Sequence, residues 1–269
     1  MHPMLNIAVR AARRSGNLIV RFLEQRQNLR IETKGANDFV SEVDKQSEAT
    51  IIDTLHKAYP EHTILGEESG LHHPGNGYEW VIDPLDGTTN FLHGHPQFSV
   101  SIALRYQGRL EQAVVYDPLR QELFTASRGK GAFLNDRRIR VSGLGGLKGA
   151  LIGTGFPIRT PHHLEVYLNS FRALFPFVAG IRRTGSAALD LAYVACGRLD
   201  GFWELDLQEW DMAAGVLLIE EGGGLVTDFN GGQDFFRNGH IMSGSPKVLK
   251  AMLHTIQPHL TAEHLKNSS

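Results

Sequence analysis

The chain has 269 residues, 42% of them hydrophobic and 21% charged, with a formal net charge of −2. That length and balance allow one large domain or two intimately packed halves, and they exclude a disordered chain or one coated with positive charge for general nucleic-acid binding. Its one cysteine, Cys196, excludes an intrachain disulfide and a cysteine-based zinc cluster.

In chain order, the spacing first predicts an amphipathic helix over 4–28, with Leu5, Ala8, Ala12, Ile19 and Leu23 on one side and Arg10, Arg13, Arg14, Asn17 and Arg21 on the other. Residues 1–34 hold seven basic side chains (Arg10, Arg13, Arg14, Arg21, Arg26, Arg30, Lys34) against two acids (Glu24, Glu32), a local excess of +5. That excess reads either as a solvated helix face or as a docking face for RNA or an acidic protein. A strand over 31–34 and a loop over 35–38 lead to a helix over 43–58 ended by Pro60. Asp44 lies near its start, where a carboxylate balances the helix dipole. The apolar run 63–65 precedes Gly66-Glu67-Glu68-Ser69-Gly70, whose adjacent glutamates form a candidate ligand site. Residues 71–77 read as an exposed loop. Neighbouring histidines such as His72 and His73 point apart, which argues against a histidine metal site.

Glu79 to Ile82 reads as a short buried strand running into Asp83-Pro84-Leu85-Asp86-Gly87-Thr88-Thr89-Asn90-Phe91. Two carboxylates at a helix start can hold a hard cation beside a phosphate, since oxygen donors suit Mg²⁺ and free N–H groups suit an anion. The same residues also suit an ordinary turn or cap. Residues 98–106, 110–117 and 120–126 form an antiparallel meander, and 132–141 a further hairpin with Asn135-Asp136 near its tip. Gly143 to Gly149 is a flexible connection.

Beyond it come a strand over 150–154 and a helix over 161–175, with Leu164, Tyr167, Leu168, Phe171 and Leu174 on its apolar face. Ser186 is a candidate N-cap for a helix over 187–196, which Gly197 ends. A strand over 200–204 follows. Glu209-Trp210-Asp211 opens a helix to Glu221, stopped by Gly222-Gly223-Gly224. Strands over 225–228 and 241–243, a helix over 246–257 and a polar tail over 260–269 complete the chain. Strands and helices in mixed order favour a layered α+β fold over a parallel doubly wound sheet. The expected organisation is one domain over 1–269 in two packed halves, about 1–145 and 146–269. The N-terminus lacks a signal-peptide pattern and no apolar run is long enough to span a bilayer, so a cytoplasmic protein with no membrane contact is expected.

Asp44, Glu67, Asp83, Asp86 and Asp211 each follow an apolar run or open a helix. Carboxylates gathered from such places repel one another and raise one another's pKa, so their convergence at neutral pH requires cations, two or more of them. Two Mg²⁺ ions roughly 3.5–4 Å apart can lower the pKa of a bound water and neutralise a departing alkoxide. Cys196 sits within a predicted helix with no basic loop around it, which excludes a cysteine phosphatase.

Gly66-Glu67-Glu68-Ser69, Asp83 to Phe91 and Trp210-Asp211-Met212-Ala213-Ala214-Gly215 resemble three signatures of the inositol monophosphatase family, lithium-sensitive and Mg²⁺-dependent phosphatases. Arg182-Arg183-Thr184-Gly185-Ser186-Ala187-Ala188-Leu189-Asp190-Leu191-Ala192 further resembles its bacterial SuhB-type members. The resemblance implies a layered αβαβα sandwich, a homodimer and two or three Mg²⁺ ions per site. It implies Glu67, Asp83, the Leu85 carbonyl, Asp86 and Asp211 as metal ligands. Asp44 and Thr88, with Glu67, would serve the attacking water, and Gly87, Thr88 and Thr89 would cradle the phosphate. Asp86, Gly185, Ser186, Ala187, Glu204 and Asp211 would meet the inositol ring, with Arg182 or Arg183 touching substrate or the dimer partner. The implied reaction is hydrolysis of myo-inositol 1-phosphate and related polyol phosphates. A bisphosphatase of the same superfamily would need further Lys or Arg at the sugar pocket, where Glu204 would repel a second phosphate. SuhB-type proteins are also similar to a factor joining the Nus antitermination complex on RNA polymerase during ribosomal RNA transcription, which implies regulatory binding beside or instead of catalysis.

Overall fold

The computed structural model describes residues 2–25, 31–35, 38–72 and 75–260, with backbone alone at 31–35 and 38–40. Helix α1 (Pro3–Glu24) begins with a proline, which needs no N–H there, and His2 Nδ1 accepts from the Met4 N–H at 3.3 Å. Leu5, Ala8, Ala12 and Ile19 are buried at helical spacing, while Arg10, Arg13, Arg14, Asn17 and Arg21 face outward, as the pattern requires. Gly16 lies so close to the Tyr116 ring that a β-carbon there would sit 2.6 Å from it. The expected helix residues 26–28, loop residues 36–37, His73 and the tail from 261 lie outside the described residues. A two-stranded ribbon, β1 (Ile31–Gly35) and β2 (Asp38–Ser41), leads into α2 (Glu42–Ala58). Ser41 opens α2 with a capping box: its hydroxyl accepts from the Val43 N–H at 3.2 Å, and the Asp44 carboxylate accepts from the Ser41 N–H at 2.8 Å.

Then come β3 (Thr63–Gly66), β4 (Gly70–His72), β5 (Tyr78–Asp86), α3 (Thr88–His93), β6 (Ser99–Tyr106), β7 (Arg109–Asp117), β8 (Glu122–Ser127), β9 (Gly131–Leu134) and β10 (Arg137–Ile139). These strands make one sheet in the order β10-β9-β8-β7-β6-β5-β3-β4, with β3 parallel to β5 and the other pairs antiparallel. Leu71 and His72, the start of the loop expected over 71–77, pair with β3 at the sheet edge together with Gly70; an edge strand needs backbone partners on one side only, so apolar alternation does not announce it. The second sheet takes β11 (Leu151–Thr154), then, after α4 (Leu164–Leu174), β12 (Gly180–Arg182); after α5 (Ala187–Ala195) comes β13 (Gly201–Glu204), after α6 (Glu209–Glu221) β14 (Leu225–Thr227), and after α7 (Phe235–Asn238) β15 (Ile241–Gly244), followed by α8 (Pro246–Ile256). Its order is β12-β11-β13-β15-β14. Helix α7 was not expected, because four residues are too short to display a helical period. A 3₁₀ turn at 161–163 delays α4, so its buried face is Val166, Tyr167, Ser170 and Leu174, and Leu164 is exposed.

Alternation along the strands builds the layers. Trp80 and Ile82 of β5, with Val100, Ile102 and Leu104 of β6, join α1 and α2 in one core, while Val81 and Ala103 point to the opposite face against α5 and α6. The smaller sheet repeats this: Phe202 and Ile241 face α5 and α6, whereas Trp203 and Met242 face α4 and α8. The result is helix, sheet, helix, sheet, helix, the expected α+β layered sandwich. Helices α5 and α6 lie between both sheets and are apolar nearly all round, as a doubly covered helix must be. Among the described residues no helix is long and apolar enough to cross a membrane.

Candidate active site

Strand β5 does not stop before the acids but carries them. Asp83 pairs with Ser101 and Asp86 with Ser99 on β6, so three steps on β5 oppose two on its neighbour, and the extra residue is a bulge at Pro84-Leu85. In a regular strand, residues three apart point to opposite faces. The bulge turns Asp83 and Asp86 to the same side. Asp83 is braced by the Leu85 N–H, which donates to its Oδ1 at 2.9 Å. Gly87 follows at φ 96° and caps the start of α3; a β-carbon there would press on the Gln97 and Gly185 carbonyls at 2.9 and 3.2 Å, so the turn requires glycine. Asn90 Nδ2 donates to the Gln97 and Thr184 carbonyls at 2.7 and 2.9 Å and staples this turn to the segment before α5.

Asp211 arrives from the first turn of α6, in a capping box whose Gln208 N–H donates to Asp211 Oδ2 at 2.7 Å. Carboxylate oxygens of Asp83, Asp86 and Asp211 lie within 4.8 Å of one another. Glu67, from the tip of the β3–β4 hairpin, lines the same cavity of about 310 Å³ and hydrogen-bonds Asp83. Leu85, Gly87, Thr88, Thr89, Gly185, Ser186, Ala187 and Glu204 line it too. Asp44 stands behind them: its Oδ1 accepts from Thr88 Oγ1 at 2.8 Å, and Oδ2 accepts from the Ser41 hydroxyl at 2.6 Å. The Thr88 hydroxyl also lies 3.1 Å from the Leu85 carbonyl.

Two expectations change in detail. Ser186 holds the N-cap position of α5, as expected, but its side chain makes no capping bond; its hydroxyl donates to Asp86, and Asp86 Oδ2 itself accepts from the Ala188 N–H at 2.9 Å. The helix is therefore capped by a carboxylate from another layer. Arg182 does not line the cavity. Its guanidinium stays exposed against the Ile181 carbonyl, while the next residue points the other way, so Arg183 enters the cavity with its guanidinium 5.2 Å from the Phe156 ring centre.

Sequence reasoning also missed several residues. Asp190, buried in α5, lines the cavity and accepts from Thr184 Oγ1 at 2.8 Å; its signal was being the one charged residue in an alanine- and leucine-rich helix. The strand-end segment Thr154 to Thr160, with Arg159, and Asp206 form the remaining wall, for which no local pattern exists.

Seven acids and two arginines line the cavity. Burial, then the charges of Glu67, Asp86 and Asp211, hold the Asp83 carboxyl well above the ordinary range. Burial also raises Asp86, against the hydrogen bonds from Ser186 and Ala188. Asp211 is pushed up to about 7 by burial and the Asp86 charge. Glu204 rises through burial first and the charges of Asp190 and Asp211 second, and Asp190 rises through burial against the Thr184 hydrogen bond, with the Asp86 charge adding to the rise. A buried to half-buried set of oxygen donors that repel one another fits a divalent hard cation. Burial pushes the Cys196 thiol up, the opposite of what a thiolate nucleophile requires.

The fold and this acidic cavity define a phosphatase class in which carboxylates gather divalent cations. The inositol monophosphatase family model matches residues 1–262, and the chain belongs to that metal-dependent family. A protein of Pseudomonas aeruginosa named Nus factor SuhB is 60% identical over 265 residues, covering 97% of this chain and 98% of that one. The crystal structure of extragenic suppressor protein suhB from Bartonella henselae superposes with a TM-score of 0.94 at 46% identity, covering 96% of this chain and 100% of that one. An inositol monophosphatase from Anabaena (Nostoc) gives a TM-score of 0.84 at 37% identity, covering 96% and 97%.

The raised carboxylates set a pH dependence. Above pH 3.8 the unfolded chain releases protons that folded Asp211 keeps until about pH 7, so metal-free stability falls through that window and the cost is complete above it. A bound divalent cation would relieve that cost. At a hundredfold excess over its dissociation constant, such an ion would add about 2.7 kcal/mol, or about 5–10 °C of melting temperature for a chain of this size. With Mg²⁺ at one fixed concentration, the rise measured by scanning calorimetry is expected to be larger at pH 8 than at pH 6, because protons compete for the carboxylates at the lower pH; an equal rise at both would mean these carboxylates do not share the ion.

Proposed function

We propose that this chain is a Mg²⁺-dependent phosphomonoesterase that hydrolyses myo-inositol 1-phosphate and related polyol phosphates to inositol and phosphate. The observation that carries the reading is the meeting of Asp83, Asp86 and Asp211 within 4.8 Å beside the Thr88–Asp44 pair. Glu67, Asp83, the Leu85 carbonyl, Asp86 and Asp211 would hold two or three Mg²⁺ ions. When bound, these supply Lewis acidity toward the phosphate and the leaving oxygen. Thr88 donates its proton to Asp44, so its hydroxyl oxygen is left to accept from a water and aim it at phosphorus, with Asp44 as the final base. Glu67, which lines the same cavity, is a second acceptor for that water. Gly87, Thr88 and Thr89 present the start of α3, which no side chain caps, to the phosphate oxygens. Glu204, Ala187, Gly185, Ser186, Asp86 and Asp211 meet ring hydroxyls, and Arg183, the one of the adjacent arginines that lines the cavity, faces the substrate. Glu204 disfavours a second phosphate. Initial rates on a panel of phosphate esters with and without Mg²⁺ test the proposal. Monoester preference and Mg²⁺ dependence are expected; a strong preference for a bisphosphate, or no hydrolysis, would overturn it.

A regulatory role beside catalysis has its own support in the relatives named Nus factor SuhB. Contact with RNA polymerase and the Nus complex would use a surface away from the cavity. Arg10, Arg13 and Arg21 of α1 are exposed and have no acidic partner among the described residues. A chromosomal Asp83→Asn allele separates the roles: a wild-type phenotype with retained polymerase pull-down would assign the cellular job to binding. A homodimer is supported by exposed Phe156, Ile158, Leu164, Phe175 and Phe177, with Phe156, Tyr167, Phe171 and Phe175 in a continuous run of ring contacts. A cytoplasmic location agrees with the single free cysteine.

A further inference from the structure

Helix α2 presents Asp44, Ser47 and Glu48 on one buried face, and each touches a different segment of the candidate active site. Asp44 accepts from Thr88 in α3. Ser47 Oγ donates to the Pro84 carbonyl at 2.8 Å, inside the bulge that carries Asp83 and Asp86. Glu48 accepts from the Glu68 N–H at 2.9 Å and from the Ser69 hydroxyl, in the turn that carries Glu67.

We propose that Glu48 is a positioning residue for the cation site, holding the Gly66–Ser69 turn so that Glu67 faces Asp83; this rests on the phosphatase reading above. Glu48 is 2% exposed, lies outside the cavity lining and has no Lys or Arg partner among the described residues. A buried carboxylate without a cation is costly, and here it is held by donors from the glutamate turn. The approach is close: a β-carbon at Gly66 would overlap the Glu48 carboxylate. Ser69 in turn hydrogen-bonds His72 Nε2 at 2.5 Å, so the far side of the hairpin joins the same chain of contacts. On the near side the Glu67 N–H donates to the Ile82 carbonyl at 3.2 Å, next to Asp83. Residue 67 is thus pinned between β5 and α2, and Glu48 supplies the α2 side. Its contact with the cation runs through Glu67, in the way outer partners orient metal ligands.

The test is calorimetric titration of the full chain with Mg²⁺, together with steady-state kinetics at saturating Mg²⁺. Glu48→Ala is expected to weaken Mg²⁺ binding about tenfold, with KM for the phosphate ester unchanged. Glu48→Gln keeps an oxygen for the Glu68 N–H and can donate to Ser69 Oγ, so its affinity should return to within about threefold of wild type. Wild-type affinity in a folded Glu48→Ala variant, or equal losses in both variants, would overturn the inference. Should Glu48→Ala fail to fold by circular dichroism, Ser69→Ala removes one of the two bonds. It is expected to weaken binding about threefold, and no change would count against the inference. A wild-type chain that takes up no Mg²⁺ would overturn the phosphatase reading and this inference with it, whereas a variant matching a binding wild type overturns this inference alone.

Discussion

Asp83→Asn should lower kcat/KM for inositol 1-phosphate about 10³-fold, since cation stabilisation of the developing charge is worth several kcal/mol and each 1.36 kcal/mol is a decade in rate. The same change should raise the melting temperature of the metal-free protein at pH 8. Both effects come from one charge. Asp83 is buried among Glu67, Asp86 and Asp211, which hold its carboxyl well above its ordinary range. An acid whose folded pKa is raised costs stability from the ordinary pKa upward, where the unfolded chain has lost the proton, and the cost is complete above the folded pKa. Asparagine removes the repulsion and keeps an oxygen for the Leu85 N–H. Rate assays in Mg²⁺ and melting in EDTA measure the two halves. Activity within tenfold of wild type would place the chemistry elsewhere, and a lower metal-free melting temperature would mean the carboxylates do not repel.

Thr88→Val is expected to lower kcat by about 10²–10⁴, the range for a positioned proton acceptor, with KM little changed. Valine has the shape of threonine without the hydroxyl. Its loss leaves Asp44 Oδ1 without its 2.8 Å hydrogen bond, and an orphaned buried acceptor costs about 1–3 kcal/mol of stability. Burial raises the Asp44 pKa, and the Ser41 and Thr88 hydrogen bonds oppose it. Without Thr88 the pKa rises further, so the acid limb of the kcat profile moves to higher pH. Thr88→Ser restores the hydroxyl and should restore most of the rate; a serine variant as slow as the valine variant would remove Thr88 from the proton path.

Much of the site could be read along the chain because it is contiguous. Asp83 to Phe91 carries two acids, the left-handed glycine and the start of α3 in one run, and Asp211 opens a helix in plain view. Asp44 could be placed at the start of α2, but two duties were open to it; the structure shows that it closes the Ser41 capping box and that its other oxygen accepts a hydrogen bond from Thr88, the contact on which the proposed second duty rests. Glu48 and Asp190 were passed over because each is a single acid in a helix, and spacing does not report whether a helix face is covered. Arg182 and Arg183 are adjacent, and only the direction of β12 relative to the cavity distinguishes them.

Local order is encoded by neighbours: apolar residues at intervals of two or three to four set strand and helix, proline and glycine end them, and a lone Cys196 closes off thiol chemistry. Those facts need no knowledge of the remaining chain. Which carboxylates share water-poor space is another matter. It depends on a one-residue bulge between β5 and β6, on α5 and α6 being clamped between two sheets, and on a helix capped by Asp86 from a distant layer. Charge repulsion and burial act through space, so the raised acids, and with them a site suited to a cation, form only once the layers have closed around them.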